Sequence, residues 1–179
     1  MNYKRQPVEP VDHAIGRSRG GLTTKLHTLV DGNGRPLVIE VGPGHGGDSP
    51  MLPVLLGYLR VGRGGPGRPR TRPDALLADK AYSSRAHRAL LQQRGITAVI
   101  PERSDQQGHR QHRGSASGRP VSYNRERYKD RNVIERSYEQ LKQWRGLATH
   151  YDKLAVIYRG SAVLRSIILW LRSPIGDTP

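Results

Sequence analysis

Tyr128, Arg131, Glu135 and Lys142 are spaced Y-x2-R-x3-E-x6-K within the stretch YKDRNVIERSYEQLKQWRG, and an acid set among cations in this way suits phosphodiester chemistry. Read as one helix advancing about 100° per residue, the four side chains fall within a sector about 60° wide, while Val133, Ile134 and Leu141 lie toward a different, apolar side. The same pattern also describes a solvated face in which Arg131 and Glu135 form an i,i+4 pair worth about 0.2–0.5 kcal/mol. The rest of the chain bears on which reading holds.

A second acid stands upstream. The run ALLAD, Ala75 to Asp79, reads as a buried strand with Asp79 at its carboxyl end, just before a turn into a helix, where open α/β sheets present functional groups. Alone, Asp79 could as well cap that turn or pair with Lys80. Together, a carboxylate at a strand end and one on a downstream helix can converge on a pair of Mg²⁺ ions, the arrangement for in-line displacement at phosphorus. A site of that kind usually needs a third acid.

The composition favours a polyanionic partner. The 179 residues hold 30 Lys and Arg against 15 Asp and Glu, a formal net charge of +15 and a pI near 10.9. Nucleic acid is the leading candidate, although a GC-rich genome would also enrich Arg, Gly, Pro and Ala. With no cysteine, disulfides and thiolate metal sites are excluded, and any metal must be a hard cation held by carboxylates or His. MNYKRQPVEPVDH has no apolar core of a signal or anchor, so the expected location is the cytoplasm. The apolar stretch LAVIYRGSAVLRSIILWLR is interrupted by Arg159 and Arg165, which predicts a buried amphipathic helix rather than a membrane span.

The elements that must position these groups follow from periodicity. GLTTKLHTLV alternates, Asp31-Gly32-Asn33-Gly34 supplies a turn, and Leu37 to Val41 is an apolar run, together a hairpin. Asp48 or Ser49 can cap a helix with Pro50 in its first turn and Met51, Leu52, Leu55, Leu56 and Leu59 as its buried face, ending near Arg60. VGRGGPGRPRTRP reads as a basic loop that can follow a phosphate backbone or simply connect. Ser83 or Ser84 caps a helix to about Arg94, and Ile96 to Ile100 is another strand. Residues 101–124 are polar and basic, with nothing to fill a core, and read as a flexible insertion in which His109 and His112 are solvent-exposed rather than metal ligands. The helix with Glu135 should stop near Gly146, and a last helix spans Leu154 to Arg172. This order predicts a single α/β domain over residues 1–179, with helices packed on a mixed sheet.

Four stretches carry a family resemblance: DHAIGRSRGGLTTKLH (Asp12 to His27), LLADKAYSS (Leu76 to Ser84), RNVIERSYEQLKQWRGLATHYDK (Arg131 to Lys153) and the Y-x2-R-x3-E-x6-K signature. In these the chain resembles the C-terminal, larger part of DDE-type transposases of bacterial insertion sequences, in the insertion-sequence four and five superfamily, whose catalytic core is ribonuclease-H-like. The resemblance implies that Asp79 and Glu135 are the second and third catalytic acids and bind a divalent metal, Mg²⁺ or Mn²⁺. It makes Tyr128, Arg131 and Lys142 the accompanying signature residues, with Arg131 and Lys142 contacting DNA phosphate near the cut. Asp48 also matches a motif position, where helix capping is the expected role.

In that family the first acid lies on the first core strand, upstream of the segment resembling GRSRGG, and this chain begins too late to contain it. Residues 1–11 offer no apolar alternation to replace it, and Asp12 sits in a polar, non-strand context. The expectation is therefore a partial catalytic domain, enzymatic only when a first acid is supplied, as a fragment or as the second reading frame of a full enzyme. Its partners would be DNA, further copies of itself on DNA and an upstream reading-frame product, with no membrane. The expected activity is metal-dependent DNA cleavage and strand transfer at element ends. The rivals are a non-catalytic DNA-binding remnant or regulator and, last, an RNA-binding protein.

Overall fold

The computed structural model describes residues 12–172, and the expectation that residues 1–11 hold no strand lies outside them. The chain is α/β and divides into two compact units, one from the segments up to Gly47 and from Val133 onward, the other Asp48–Asn132.

The first unit is a three-stranded antiparallel sheet with helices from the C-terminal part of the chain. Strands β1 (Gly16–Ser18), β2 (Gly21–Val30) and β3 (Pro36–Pro43) lie in the order β1-β2-β3. The β2–β3 register pairs Leu26 with Val41 and Thr28 with Ile39, as the alternation in GLTTKLHTLV requires. Asp31-Gly32-Asn33-Gly34 forms the turn, with Gly34 at φ 85°, a conformation that L side chains rarely adopt. Helices α5 (Val133–Lys142), α6 (Arg145–Ala148) and α7 (Ala155–Arg172) complete this unit. Its core gathers Ile39, Leu147, Tyr158 and Ala162, with Leu26, Val41 and Trp144 packed against them. Polar contacts fix α7 to β3: Arg159 Nε donates to the Ile39 carbonyl at 2.8 Å and Trp170 Nε1 to the Pro36 carbonyl at 2.9 Å.

The second unit contains α1 (Met51–Tyr58), β4 (Ala75–Leu77), α2 (Arg85–Gln93), β5 (Thr97–Val99), α3 (Ser104–Arg113) and α4 (Arg125–Tyr128). β4 and β5 are parallel, joined by α2 as a βαβ crossover. Leu55, Leu56, Leu91, Val99 and Ile100 are among its buried side chains. The basic loop after α1 has little regular structure, as its Gly and Pro content dictates, but a backbone bridge between Val61 and Arg70 closes it. Ser84 caps α2, its hydroxyl accepting from His87 N at 3.2 Å. Ser84→Ala should cost about 1 kcal/mol of stability, measured by urea denaturation.

Several expectations need correction. Among the described residues the strands form two sheets, one antiparallel and one parallel, and no strand joins them into a single mixed sheet. α1 begins after Pro50 with no side-chain cap; Met51 N bonds to the Asp48 carbonyl, and Ser49 Oγ lies 3.3 Å from His87 Nδ1. Residues 101–124, read as a flexible basic insertion, contain α3, whose exposed, polar composition hid it, because a helix with no buried face leaves no apolar period to detect. The helix through Glu135 ends at Lys142, and Gly146 lies inside α6 instead of terminating it. No helix among the described residues is long and apolar enough to cross a membrane.

Candidate nucleic-acid and metal site

Asp79 lies two residues beyond β4, at the carboxyl end of a parallel strand, as the sequence predicts. It caps a 3-10 turn, Lys80–Tyr82, its Oδ1 accepting from Ala81 N at 2.7 Å. One carboxylate oxygen is thus committed to shaping the turn, and the side chain is half-buried.

Residues missed by sequence reasoning hold this turn in place. Arg103 Nε donates to the Lys80 carbonyl at 3.2 Å, just before α3. Ser83, buried, donates its hydroxyl to Gln106 Oε1 at 2.9 Å, and Gln106 Nε2 returns a bond to the Ser83 carbonyl at 3.3 Å. The first turn of α3 therefore clasps the turn that carries Asp79. Glu102 and Arg110 brace the same helix, with Nη1 to Oε2 at 2.6 Å. The only signal for this in the sequence was a polar stretch too long for a simple loop.

The four signature residues do not ride on one helix. Tyr128 ends α4, Arg131 lies in a 3-10 turn, Lys129–Asn132, and only Glu135 and Lys142 share an element, α5. The 3-10 turn resets the angular phase, because it runs at about three residues per turn, and its Asp130 and Asn132 are weak α-helix formers. Within α5, Glu135 and Lys142 are seven residues apart, exposed and on the same face. Tyr128 is half-buried and stacks edge-on against Tyr123, with centroids 5.6 Å apart. Asp79, Tyr128 and Arg131 belong to the Asp48–Asn132 unit, Glu135 and Lys142 to the other.

Carboxylate oxygens suit a hard divalent cation in kind. In number they fall short, since among the described residues no three His, Asp or Glu gather into a metal cluster. Asp12 is exposed and accepts from Ala14 N at 2.8 Å, a local turn contact. His109 and His112 are exposed, as expected.

A further polar cluster joins two of the motif stretches within the first unit. Thr23 Oγ1 lies 3.4 Å from His150 Nδ1, and Lys153 Nζ is 3.2 Å from the same nitrogen and 2.6 Å from the His150 carbonyl. An ammonium only donates, so Nδ1 accepts and the ring proton sits on Nε2, which is buried and has no hydrogen-bond partner. Burial, and then the Lys153 charge, push the His150 pKa below its usual value, which keeps the ring neutral. His150, between α6 and α7, also has φ 48°, in the left-handed region. Gly44 approaches Thr23 so closely that an added Cβ would stand 2.5 Å from Thr23 Cγ2, and only glycine fits.

Charge is unevenly distributed along the chain. Residues 48–132 contain 17 of the 30 Lys and Arg but 7 of the 15 acids. The basic loop, the end of α3 and the region around α4 supply most of this excess, all of it on solvated segments. Such a surface suits phosphate oxygens.

The model of the transposase DDE domain matches residues 4–169. A Brucella ovis protein that carries the name of a transposase for insertion sequence element IS6501 is 31% identical over 156 residues, covering 84% of this chain and 100% of the relative. A Burkholderia cepacia protein named likewise for element IS402 is 32% identical over 142 residues, covering 79% of this chain and 59% of the relative. No solved structure gives a significant match. With a family model spanning nearly the whole chain and two relatives above 30% identity, this chain belongs to the transposase DDE domain family.

Proposed function

We propose that the chain carries out DNA transposition through a ribonuclease-H-like core, with Asp79 and Glu135 as its acids. The observation that carries this reading is the position of Asp79 at the carboxyl end of β4, one oxygen fixed by the turn and the turn clasped by α3. Asp79 and Glu135 would hold a divalent cation, Mg²⁺ or Mn²⁺. When bound, that cation supplies charge stabilisation to phosphodiester hydrolysis and to attack of the freed 3′-hydroxyl on target DNA. Tyr128, Arg131 and Lys142 bind and orient the DNA backbone, their cations offsetting its charge. The chain works in the cytoplasm, as copies assembled on DNA.

A binding-only role is the second reading, favoured by the absence of a three-ligand cluster among the described residues. Both readings share one test. DNA affinity should fall by roughly 10³-fold or more between 50 and 200 mM salt, as expected when several phosphates are neutralised. Arg131→Ala and Lys142→Ala should each reduce the slope of log affinity against log salt by about one. Salt-independent binding, or slopes that neither substitution changes, would count against DNA contact by these residues.

A further inference from the structure

The basic segment after α1 is built as more than a connector. Antiparallel backbone bonds between Val61 and Arg70, both 2.8 Å, close Gly62 to Pro69 into an arm. Its base is pinned further: Arg70 pairs with Asp74 at 2.7 Å, and Arg72 Nη1 donates to the Arg94 carbonyl at 3.4 Å. Beyond that base Arg63 and Arg68 are exposed, and among the described residues neither side chain forms a hydrogen bond or an ion pair. Between them stand only Gly64, Gly65, Pro66 and Gly67. Gly67, at φ 132°, serves the backbone. At Gly62, Gly64 and Gly65, by contrast, an added Cβ would meet nothing within 4 Å, so packing inside this chain does not call for glycine there. A surface that comes close to the backbone from outside would.

We propose that this arm enters the minor groove of A·T-rich duplex DNA, with Arg63 and Arg68 donating to the groove floor. The inference rests on the reading of the chain as a protein that acts on DNA, and it names the DNA that the basic loop prefers. The minor groove is about 6 Å wide, and a ribbon of Gly and Pro flanked by two arginines is thin enough to lie in it. Pro66 and Pro69 bias Gly65 and Arg68 toward extended backbone, which suits an arm laid along a groove. Because the bridge at Val61 and Arg70 already closes the arm, less ordering remains to be done on binding.

The chemistry of the groove floor sets the preference. A guanidinium only donates, and A·T pairs offer only acceptors there, adenine N3 and thymine O2. A G·C pair adds the guanine N2 amino group, a donor that faces the arginine and fills the space a close backbone needs. A·T tracts also have a narrow groove, whose stronger negative potential draws Arg in. From Arg60 to Pro73 the chain holds no acidic, amide or aromatic side chain. The groups that read cytosine and adenine in the major groove are therefore missing, and so are the rings on which unpaired bases stack.

The test measures affinity of the full chain, by fluorescence anisotropy at one fixed salt concentration, for DNA duplexes of equal length with a central A·T, G·C or inosine·cytosine tract. Inosine keeps the major groove of G·C but removes the amino group from the minor groove. The A·T and inosine duplexes should bind alike, each about tenfold more tightly than G·C. Arg63→Ala combined with Arg68→Ala should bring all of them within about twofold of one another. Gly64→Val combined with Gly65→Val keeps every charge and adds side chains where nothing packs, so it should remove the same preference while leaving G·C affinity within about twofold. Equal affinity for all the duplexes, an inosine duplex bound like G·C, or a preference that survives either double substitution would overturn the arm while leaving DNA binding intact. An A·U duplex of RNA bound as tightly as the A·T DNA would overturn it in favour of an RNA partner. Failure to bind any duplex would overturn the DNA reading itself, and the arm with it.

Discussion

Asp79→Asn is expected to reduce metal-dependent cleavage of DNA by about 10²–10³-fold, and Glu135→Gln to do the same, while each leaves DNA affinity within about threefold. The choice of Asn matters. Its side-chain oxygen can still accept from the Ala81 amide, so the 3-10 turn and the clasp from α3 survive, and only the charge is removed. Glu135 is exposed on α5, so Gln there should leave stability almost unchanged. Plasmid nicking in Mg²⁺ and in Mn²⁺, with dissociation constants measured alongside, separates the outcomes. Retained cleavage in either variant would remove that residue from the catalytic role. An unsubstituted chain that binds DNA but never cleaves it, even with an upstream reading-frame product supplied, would favour the binding-only reading.

The largest stability effect should come from Asp31→Ala, a loss of about 3–5 kcal/mol by chemical denaturation. Asp31 and Arg35 are both buried, and Asp31 Oδ2 accepts from Arg35 Nε at 2.6 Å. The other oxygen accepts from the amides of Asn33 and Arg35 at 2.9 and 2.8 Å, which closes the β2–β3 turn. Arg35 also lies over the Trp170 ring, 4.5 Å from its centroid, so the pair ties the hairpin to the end of α7. Removing the carboxylate leaves a buried guanidinium uncompensated. Asp31→Ala combined with Arg35→Met should recover part of the loss, because replacing a buried pair outright costs less than breaking it. A loss below about 1 kcal/mol for the single substitution would show that the pair contributes little.

These residues also show how far the sequence could be read. The turn at Asp31 to Gly34 was legible from its residue types, but its bonds to Arg35 were not, because a buried ion pair leaves no periodic trace. Asp79 and its strand end were legible because an apolar run followed by an acid and a helix cap is a local pattern. Gln106 and Arg103 were not, since their role rests on a clasp formed more than twenty residues from the turn they hold, and the helix that carries them has no apolar face. The signature around Glu135 was legible as spacing but misleading as geometry. A single α-helical period was extended through Lys129–Asn132, where the backbone tightens into a 3-10 turn. His150 was missed because nothing in ATHYDK announces a buried ring in a left-handed backbone conformation.

The division of the chain fixes an order of assembly on the ribosome. The Asp48–Asn132 unit is continuous in sequence and can fold as soon as it has emerged. The other unit needs both ends of the chain: Arg159 meets Glu40 across 119 residues, and Trp170 reaches Pro36 across 134. Until α7 has been synthesised, the β2–β3 hairpin waits with its apolar side uncovered, so this unit should fold more slowly and be the one most dependent on chaperones.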